Sequence, residues 1–175
     1  MIAEELAKAL NDQVTAEYYS AYLYLAMSAY AEEASLKGAA NWLFVQAKEE
    51  MAHGTHMLQY ILDRGAKPLL GAIEQPPSSF AGIADVFEQT IAHEQKVTAS
   101  INAIADLAMK NSDHACYQFI MWYVNEQVEE ESNDNDILNK LKLIGDSKGH
   151  ILDLDTELGA RVYANPFPMD TKLIG

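Results

Sequence analysis

The chain has 175 residues, a length that suits one domain with a substantial hydrophobic core and hardly allows two. Its 26 acidic side chains outnumber its 12 Lys and Arg side chains, and the formal net charge of −14 argues against nucleic acid or an anionic membrane as a partner. Apolar residues make up 49% of the chain, which argues against disorder. Cations are the natural partners of such a charge.

Three features bear on where the protein resides. The single cysteine, Cys116, cannot form a disulfide within the chain, and no thiol cluster is present to bind a soft metal. The N-terminal stretch MIAEELAKAL carries acids where a signal peptide has basic residues, and it lacks an apolar core. The most apolar run, at 20–31, is shorter than the roughly 20 residues of a membrane span. We therefore expect a soluble protein of the reducing cytoplasm, with no membrane partner.

Good helix formers with a helical periodicity fill most of the chain, and proline is nearly absent from these stretches. Glycines and an Asn-Ser-Asp run separate the periodic segments, as expected at helix ends. The pattern predicts four long helices at 3–32, 38–64, 81–110 and 113–143, followed by a shorter fifth helix at 146–158.

The lengths of the connections predict how the helices pack. Short links join the first helix to the second and the third to the fourth, so each pair should form an antiparallel hairpin. The stretch GAKPLLGAIEQPPSSF at 65–80 is long enough to run the length of a bundle. We therefore predict an all-α four-helix bundle with one long crossover, from the second helix to the third, and a short fifth C-terminal helix.

The first helix has more apolar surface than a lone bundle needs. Tyr18, Tyr19, Tyr22, Leu23, Tyr24 and Leu25 place bulky side chains nearly all round its axis. A single apolar stripe would be enough to pack against the other helices of one bundle. The additional apolar faces predict burial against a second subunit, and hence a homo-oligomer.

The stretch KEEMAHGTHM at 48–57 places Glu50 and His53 three positions apart, on one face of the second helix. A Glu–His pair on a helix surface is the simple interpretation of this fragment. A shared metal ion is the alternative, and it needs ligands from other helices. Such ligands are available, because Glu17 lies on the first predicted helix, Glu94 on the third, and NEQVEEES at 125–132 on the fourth.

The positions of these residues repeat between the two halves of the chain. In each half, one helix carries a single glutamate, and the next helix carries a polar residue and a ligand-capable residue three positions apart. Two hairpins built alike would bring these groups together near a pseudo-two-fold axis, which predicts a binuclear site. The spacings of 33 and 36 residues run from Glu17 to Glu50 and His53, and again from Glu94 to Gln127 and Glu130.

Oxygen-rich ligation with an imidazole suits iron or manganese, whereas a structural zinc site would show cysteines or closed tetrahedral ligation. A carboxylate such as that of Glu50 can bind two cations at once. Burying several acids without a metal would cost several kcal/mol in desolvation and repulsion. Metal binding therefore accounts for the residue types better than a surface pair does.

The sequence resembles the non-haem ferritins of bacteria and archaea over essentially its whole length. This resemblance implies a ferritin-like form of the predicted bundle, with a diiron domain at 1–160 and a C-terminal tail at 161–175. The matching stretches are NDQVTAEYYSAYLYLAMS around Glu17, NWLFVQAKEEMAH around Glu50 and His53, HE at 93–94, and QFIMWYVNEQVEEE in the fourth helix.

The resemblance also implies the role of each site residue. Tyr24, seven residues from Glu17 and on the same face, matches a tyrosine near the family's diiron site and should supply an electron or a hydrogen bond. Three iron positions are implied: a first held by Glu17, Glu50 and His53, a second held by Glu50, Glu94 and Glu130 with Gln127 close by, and a third held by Glu49, Glu126, Glu129 and Glu130.

The activity implied is that of a ferroxidase. Fe(II) would be oxidised by O2 or peroxide, and the ferric product would be stored as a mineral inside a hollow shell of 24 subunits. Only the second helix has the Glu-x-x-His pattern of symmetric diiron bundles, because the fourth has Gln127-Val-Glu129-Glu130. We therefore expect an asymmetric centre. Met51 lies where bacterioferritins bind haem, but a helical methionine is usually a packing residue, and we expect no haem.

Three other functions remain open at this stage. A diiron enzyme of the same fold would act on peroxide or an organic substrate, with an external reductant. A metal-buffering bundle would bind metal without accelerating oxidation. A mini-ferritin that coats DNA is disfavoured by the acidic charge, the fifth helix and the presence of all the ligands in one chain.

Several residues are not needed by the predicted centre. His56 could pair with His53 as a separate His-x-x-His site, although packing or solvent exposure is the simpler interpretation. Glu131, Asp134 and Asp136 extend the acidic run and are interpreted as a solvated face. Cys116 is interpreted as a small buried side chain. No chemistry is assigned to the tail beyond Gly159.

Overall fold

The structure, a computed structural model, describes residues 2–145 and 147–167. These residues form five helices and no strand, which confirms the predicted all-α class. Each predicted helix end within the described residues lies within two residues of the observed one; position 146, the predicted start of the fifth helix, lies outside them. The helices are α1 (Glu4–Glu33), α2 (Lys37–Asp63), α3 (Ile83–Lys110), α4 (His114–Ile144) and α5 (Lys148–Leu158).

The two hairpin turns are built alike. Ser35, between α1 and α2, has a φ of 62°, and Ser112, between α3 and α4, has a φ of 53°. Few residues other than glycine adopt this left-handed conformation, so its use in both turns is informative. The two serines are 77 positions apart, the same offset that separates Glu17 from Glu94. The internal repeat seen in the sequence is therefore a repeat of the structure.

The helices pack as the connection lengths predicted. α1 packs most extensively against α2 and α3 against α4, and α1 also contacts α3. The crossover between α2 and α3 runs beside α1, where the Asn11 side chain receives a hydrogen bond from the Leu69 N–H and donates one to the Lys67 carbonyl oxygen. Among the described residues, no helix is both long and apolar enough to cross a membrane.

The core consists of two apolar clusters with a polar layer between them. One cluster includes Met27, Leu43 and Leu138 together with residues of α5, and the other includes Leu10, Ile61 and Ile120. The buried glutamates and the histidine of the predicted site belong to neither cluster and lie on the helices between them. Apolar packing at both ends of the bundle thus holds the polar layer in place.

The short helix α5 docks on the beginning of α2 through a close backbone contact. A Cβ atom at Gly38 would lie 1.5 Å from the carbonyl oxygen of Asp155, so only glycine allows this approach. The Asp155 carboxylate also accepts a hydrogen bond of 2.8 Å from the Ala39 N–H, which is one of the free donors at the start of α2. The docking of α5 therefore fixes the position from which the C-terminal residues continue over the bundle.

The first helix leaves apolar side chains uncovered in the single chain. Tyr22 and Leu25 are 50% and 40% exposed, whereas Leu23 and Tyr24 are buried. Apolar residues of the neighbouring crossover, Leu69 among them, are exposed as well. The additional apolar face predicted from the sequence is therefore present on the surface of the chain.

Candidate metal centre

Four helices direct their polar side chains into the middle layer of the bundle. The residues lie at helical spacings of three or four on the inward face of each helix, so the same periodicity that buries leucines elsewhere buries these acids. Each is at most 5% exposed. They are Glu17 of α1, Glu50 and His53 of α2, Glu94 of α3, and Gln127 and Glu130 of α4.

Glu17, Glu50 and His53 form a compact group of possible metal ligands. One ligand atom from each residue can be chosen so that all three lie within 4.8 Å of one another. The Nδ1 atom of His53 lies 3.6 Å from Glu50 Oε2 and 3.8 Å from Glu17 Oε2, so the imidazole faces both carboxylates. Two carboxylates and one imidazole make a donor set that fits iron or manganese.

The second half of the site is organised by hydrogen bonds to Glu94. The Tyr24 hydroxyl donates to Glu94 Oε1 at 2.5 Å, and the Gln127 amide donates to Glu94 Oε2 at 3.0 Å. Both carboxylate oxygens of Glu94 are therefore oriented by neighbouring donors. The same Gln127 amide nitrogen lies 3.3 Å from the Thr98 hydroxyl.

Two glutamines that the sequence reasoning missed orient the other carboxylates. The Gln46 amide donates to Glu50 at 3.1 Å and to Glu130 at 2.8 Å, which connects the two halves of the site. The Gln13 amide donates to Glu17 at 2.8 Å. A signal was present in the sequence, because Gln13 and Gln46 are 33 residues apart and each precedes a site glutamate by four. Donors of this kind commonly orient metal-binding carboxylates.

Burial raises the pKa values of three of the site carboxyls and so favours their protonated form when no cation is near. Desolvation, reinforced by the charge of Glu94, raises the pKa of Glu50 from 4.5 to about 8. Desolvation, with Glu50 as the next cause, also raises the pKa values of Glu17 and Glu130 well above their usual range. A bound cation would remove this penalty, because it stabilises the ionised carboxylates that it binds.

The Nε2 edge of the His53 ring is enclosed by aromatic rings and points toward an acid. Its Nε2 atom is buried without a hydrogen-bond partner among the described residues, and Glu126 Oε1 lies 4.0 Å from it. The rings of Trp122 and Phe167 lie edge-on at centroid distances of 5.5 and 6.0 Å. His53 therefore stands between the buried ligands and the acidic residues of α4 nearer the surface.

The acidic residues predicted to hold a third iron are only partly buried in the bundle. Glu49 and Glu126 are partly buried, and Glu129 is exposed. Burial is the main cause that raises the pKa of Glu49 and that of Glu126, and Glu129 acts in the same direction on both. Glu49 forms an ion pair with Arg161, a partner that the sequence reasoning did not identify.

One sequence interpretation is wrong. Asp134 was assigned to a solvated face with Glu131 and Asp136, but it is fully buried and neither carboxylate oxygen accepts a hydrogen bond of ordinary geometry from a described residue. It lies four residues after Glu130, so helical geometry places it on the same inward face. Burial raises its pKa to about 7, and the nearby Thr90 hydroxyl, which donates to the Phe87 carbonyl oxygen, only partly opposes this.

His56 and Cys116 are packing residues. His56 Nδ1 lies 3.0 Å from the Tyr123 hydroxyl, and its ring stacks on Phe167 at a centroid distance of 3.8 Å. His56 belongs to no group of three possible metal ligands among the described residues. Cys116 is buried and free, as expected. Met51, at the position where bacterioferritins bind haem, is half exposed.

The described part of the C-terminal tail lies against the bundle. Residues 161–167 pass over α2 and α4 close to Glu49 and His53, and Phe167 is buried with the apolar residues around Ile120. Residues 168–175 of the predicted tail lie outside the described residues. A tail to which the sequence assigned no chemistry is thus adjacent to the candidate metal centre.

Comparisons with known proteins agree with this architecture. The family profile of the ferritin-like domain matches residues 7–144. A bacterial non-heme ferritin of Staphylococcus aureus is 39% identical over 163 residues, which are 93% of this chain and 98% of that protein. A bacterial non-heme ferritin of Staphylococcus saprophyticus is 40% identical with the same coverage.

Solved structures agree as well. An open pore ferritin from Archaeoglobus fulgidus superposes with a TM-score of 0.91 at 44% identity, covering 93% of this chain and all of that one. A humanized archaeal ferritin gives a TM-score of 0.93 at 43% identity, covering 94% of this chain and 99% of that one. On the strength of a profile match across most of its length and of relatives that cover nearly all of it, this chain belongs to the ferritin family.

Proposed function

We propose that this chain is an iron-storage ferritin. It binds two Fe(II) ions per chain at the buried centre, oxidises them with O2 or peroxide, and stores the ferric product as a mineral inside a hollow oligomer. Glu17, Glu50 and His53 hold the first iron. Glu50, Glu94 and Glu130 hold the second, and Gln127 lies beside it.

The lack of a cationic side chain beside the buried glutamates supports this proposal most directly. Four glutamates are buried in one layer, and among the described residues no lysine or arginine forms an ion pair with any of them. Buried carboxylates without a cation are costly, and a protein retains them where a metal supplies the missing charge. Two cations placed between these helices would supply it.

The site residues would act on the iron in simple ways. Each Fe(II) gives up one electron, so a pair of ions provides the two electrons that reduce O2 to hydrogen peroxide, or hydrogen peroxide to water. The gain in positive charge on going from Fe(II) to Fe(III) is stabilised by the carboxylates already in place. Tyr24 orients Glu94 through its hydroxyl hydrogen bond. Solvent is excluded from the layer by the apolar clusters on both sides.

Storage requires a shell, and the uncovered apolar face of α1 supports one. Tyr22 and Leu25 lie next to the crossover, on which Leu69, Leu70 and Ile73 are also exposed. We propose that a second copy of the chain covers this surface and that 24 subunits close into a shell. A cytoplasmic location is part of the same proposal, because the one cysteine cannot form a disulfide within the chain.

A combined binding and sizing experiment tests the function. Metal-free protein receives excess Fe(II) in air, and protein and iron are followed together through a sizing column. We expect iron far above two ions per chain to travel with a particle of several hundred kilodaltons. Iron limited to about two ions per chain on a small oligomer would contradict storage and favour a diiron enzyme.

Matched variants test the site itself. Glu17→Ala and His53→Ala should each abolish fast oxidation while leaving assembly intact, because each removes a ligand of the first iron. Glu74→Ala, on the exposed crossover, and His114→Ala, at the exposed start of α4, are the controls and should oxidise Fe(II) at the normal rate. Normal oxidation in the first pair would refute the assigned site, and binding without accelerated oxidation in the wild type would favour a metal buffer.

A further inference from the structure

The residues after α5 form a strap across the face of the bundle that contains Glu49 and His53. We use the name strap for residues 159–167. At its beginning, the Asn41 amide donates to the carbonyl oxygens of Gly159, at 3.4 Å, and of Arg161, at 2.9 Å. At its end, Phe167 stacks on His56 at 3.8 Å. The strap is therefore attached to α2 at two points 15 residues apart on that helix.

At the first of these attachments, Arg161 also places its guanidinium group on the acidic surface of the centre. The guanidinium carbon lies 4.3 Å from the centroid of the Trp42 ring, and one terminal nitrogen, Nη2, forms an ion pair with Glu49. Both partners of the ion pair are mostly shielded from water, with side-chain exposures of 21% and 17%. The second terminal nitrogen, Nη1, is buried and makes no hydrogen bond within the described residues.

The same guanidinium acts on a second acid. Its charge lowers the pKa values of Glu49 and Glu126 against the larger effect of burial, so both carboxylates lie within its field. Glu49 and Glu126 are two of the four residues to which a third iron was assigned from family resemblance. In this chain, these acids therefore lie beside the positive charge of Arg161, which cannot lose its proton near neutral pH.

We propose that Arg161 competes with iron for the third position, and that a metal ion bound at Glu49, Glu126 and Glu129 must first displace the guanidinium from Glu49. This inference rests on the proposed function, because that function brings iron to these residues. An oxygen of Glu49 that accepts the ion pair is not free to bind a metal. Arg161 thus lowers the metal affinity of the third position by occupying one of its ligands.

A weak third position has a consequence for iron transfer. An iron ion that leaves the buried centre would bind briefly to Glu49. Once the ion has moved on, the Glu49 carboxylate pairs again with the Arg161 guanidinium. Iron would then pass through the position without accumulating there. The guanidinium already contacts the Trp42 ring and can keep that contact when it leaves Glu49, and the two attachments of the strap keep it close enough to return.

Metal binding without oxidation tests this inference. Metal-free protein is titrated with Mn(II), and free Mn(II) is counted by electron paramagnetic resonance. We expect two tight ions per chain and a weak third ion in the wild type. Arg161→Gln should raise the affinity for the third ion about tenfold, because a charge-assisted, partly buried partner of Glu49 is removed. Arg161→Lys keeps the positive charge and should leave the third ion weak.

A second arginine provides a matched control. Arg64, the residue that follows α2, pairs with Asp113 and lies 15 residues after Glu49, about 22 Å along the helix. Arg64→Gln removes the same charge from the chain without touching the acidic group, so it should not strengthen the third ion. An equal rise in both glutamine variants, or no rise in Arg161→Gln, would overturn the inference. Equal third-ion affinity in Arg161→Gln and Arg161→Lys would overturn it too.

The same titration separates this inference from the proposed function. Glu17→Ala should remove one of the two tight ions. If tight binding is unchanged by Glu17→Ala, the proposed centre fails, whatever the Arg161 variants do. Arg161→Gln could also raise the affinity by disturbing the strap, and the double variant Glu49→Gln with Arg161→Gln distinguishes this effect from the freeing of Glu49. It should lose the gain in third-ion affinity when that gain comes from freeing Glu49, and a retained gain would overturn the inference.

Discussion

The hydroxyl group of Tyr24, on α1, donates a hydrogen bond of 2.5 Å to the carboxylate of Glu94, on α3, in the buried polar layer. We expect Tyr24→Phe to lower the free energy of unfolding of the metal-free protein by about 1–2 kcal/mol, because a buried acceptor loses its donor. Iron oxidation should slow about tenfold, as when partners that orient metal ligands are removed. Chemical denaturation and stopped-flow absorbance measure the two effects.

Tyr30→Phe is the control for this variant. The Tyr30 ring is partly buried beside Phe80, and its hydroxyl makes no hydrogen bond to a described residue. Removal of the Tyr30 hydroxyl should therefore change neither the free energy of unfolding nor the rate of iron oxidation. Equal effects in the two variants would mean that the Tyr24 hydroxyl acts only through packing.

The metal-free protein should lose stability as the pH rises from about 5.5 to about 8. Burial raises the pKa of Glu50 to about 8 and that of Asp134 to about 7, and it raises the pKa values of Glu17 and Glu130. In this window the unfolded chain has released these protons, while the folded chain still holds them. The free energy of unfolding therefore falls as the pH rises, by roughly a few kcal/mol.

Two imidazoles act in the opposite direction on this pH dependence. Burial lowers the pKa of His56 to about 4 and also lowers that of His93, so their contribution is lost as the pH falls below about 6.5. Four buried carboxyls outweigh them. Tm measured against pH, with and without Mn(II), checks the prediction. The metal should reverse the slope, because it binds the ionised carboxylates. A Tm that rises with pH in the metal-free protein would contradict the burial of these charges.

Asp134→Asn should stabilise the metal-free protein at about pH 8. The substitution keeps the shape of the side chain but removes a carboxylate that is ionised above its pKa of about 7 and has no hydrogen-bonded donor among the described residues. We expect a gain of roughly 1–3 kcal/mol at that pH and a smaller gain at about pH 5.5, and the gain should vanish only below about pH 4, where the carboxyl is protonated in the unfolded chain as well. Asp136→Asn, exposed on the same helix, should be neutral at both pH values.

Gly38→Ala should detach α5 from α2. The new methyl group would lie 1.5 Å from the carbonyl oxygen of Asp155, and backbone atoms on both sides cannot move aside. Limited proteolysis should then cut between 145 and 160, and the third metal ion should bind more tightly, because the strap that carries Arg161 begins at α5. Gly149→Ala places a methyl group in α5 with nothing within 4 Å, so it should resist proteolysis as the wild type does.

The local pattern of the sequence determined the helices and their order. Helical periodicity, two short links and one long link were enough to predict the bundle, because each of these is a property of neighbouring residues. The ligand candidates followed from the same periodicity, since spacings of three and four place side chains on one face. The repeat from Glu17 to Glu94 by itself indicated two equivalent halves. Gln13 and Gln46 have the same 33-residue spacing as Glu17 and Glu50 and could have been included.

Asp134 shows where the reasoning went wrong although the information was present. Its charge suggested a solvated face, while its position four residues after Glu130 placed it on the inward face. Geometry decided, because a rigid helix cannot turn one side chain outward while its neighbours along the same stripe stay buried. A charged residue at an inward position is better interpreted as buried than as an interruption of the pattern.

Only the tertiary structure decided which distant residues meet. Arg161 and Glu49 are 112 positions apart, and nothing in either local pattern predicts their ion pair. The contact depends on the Gly38 approach that docks α5 and on the path of the strap over α2. Such pairings depend on the packing of whole elements, which local periodicity does not encode. The sequence alone therefore determined the helices and the inward faces that carry the ligands, whereas the cation that lies on the acidic surface of the centre was decided by the fold.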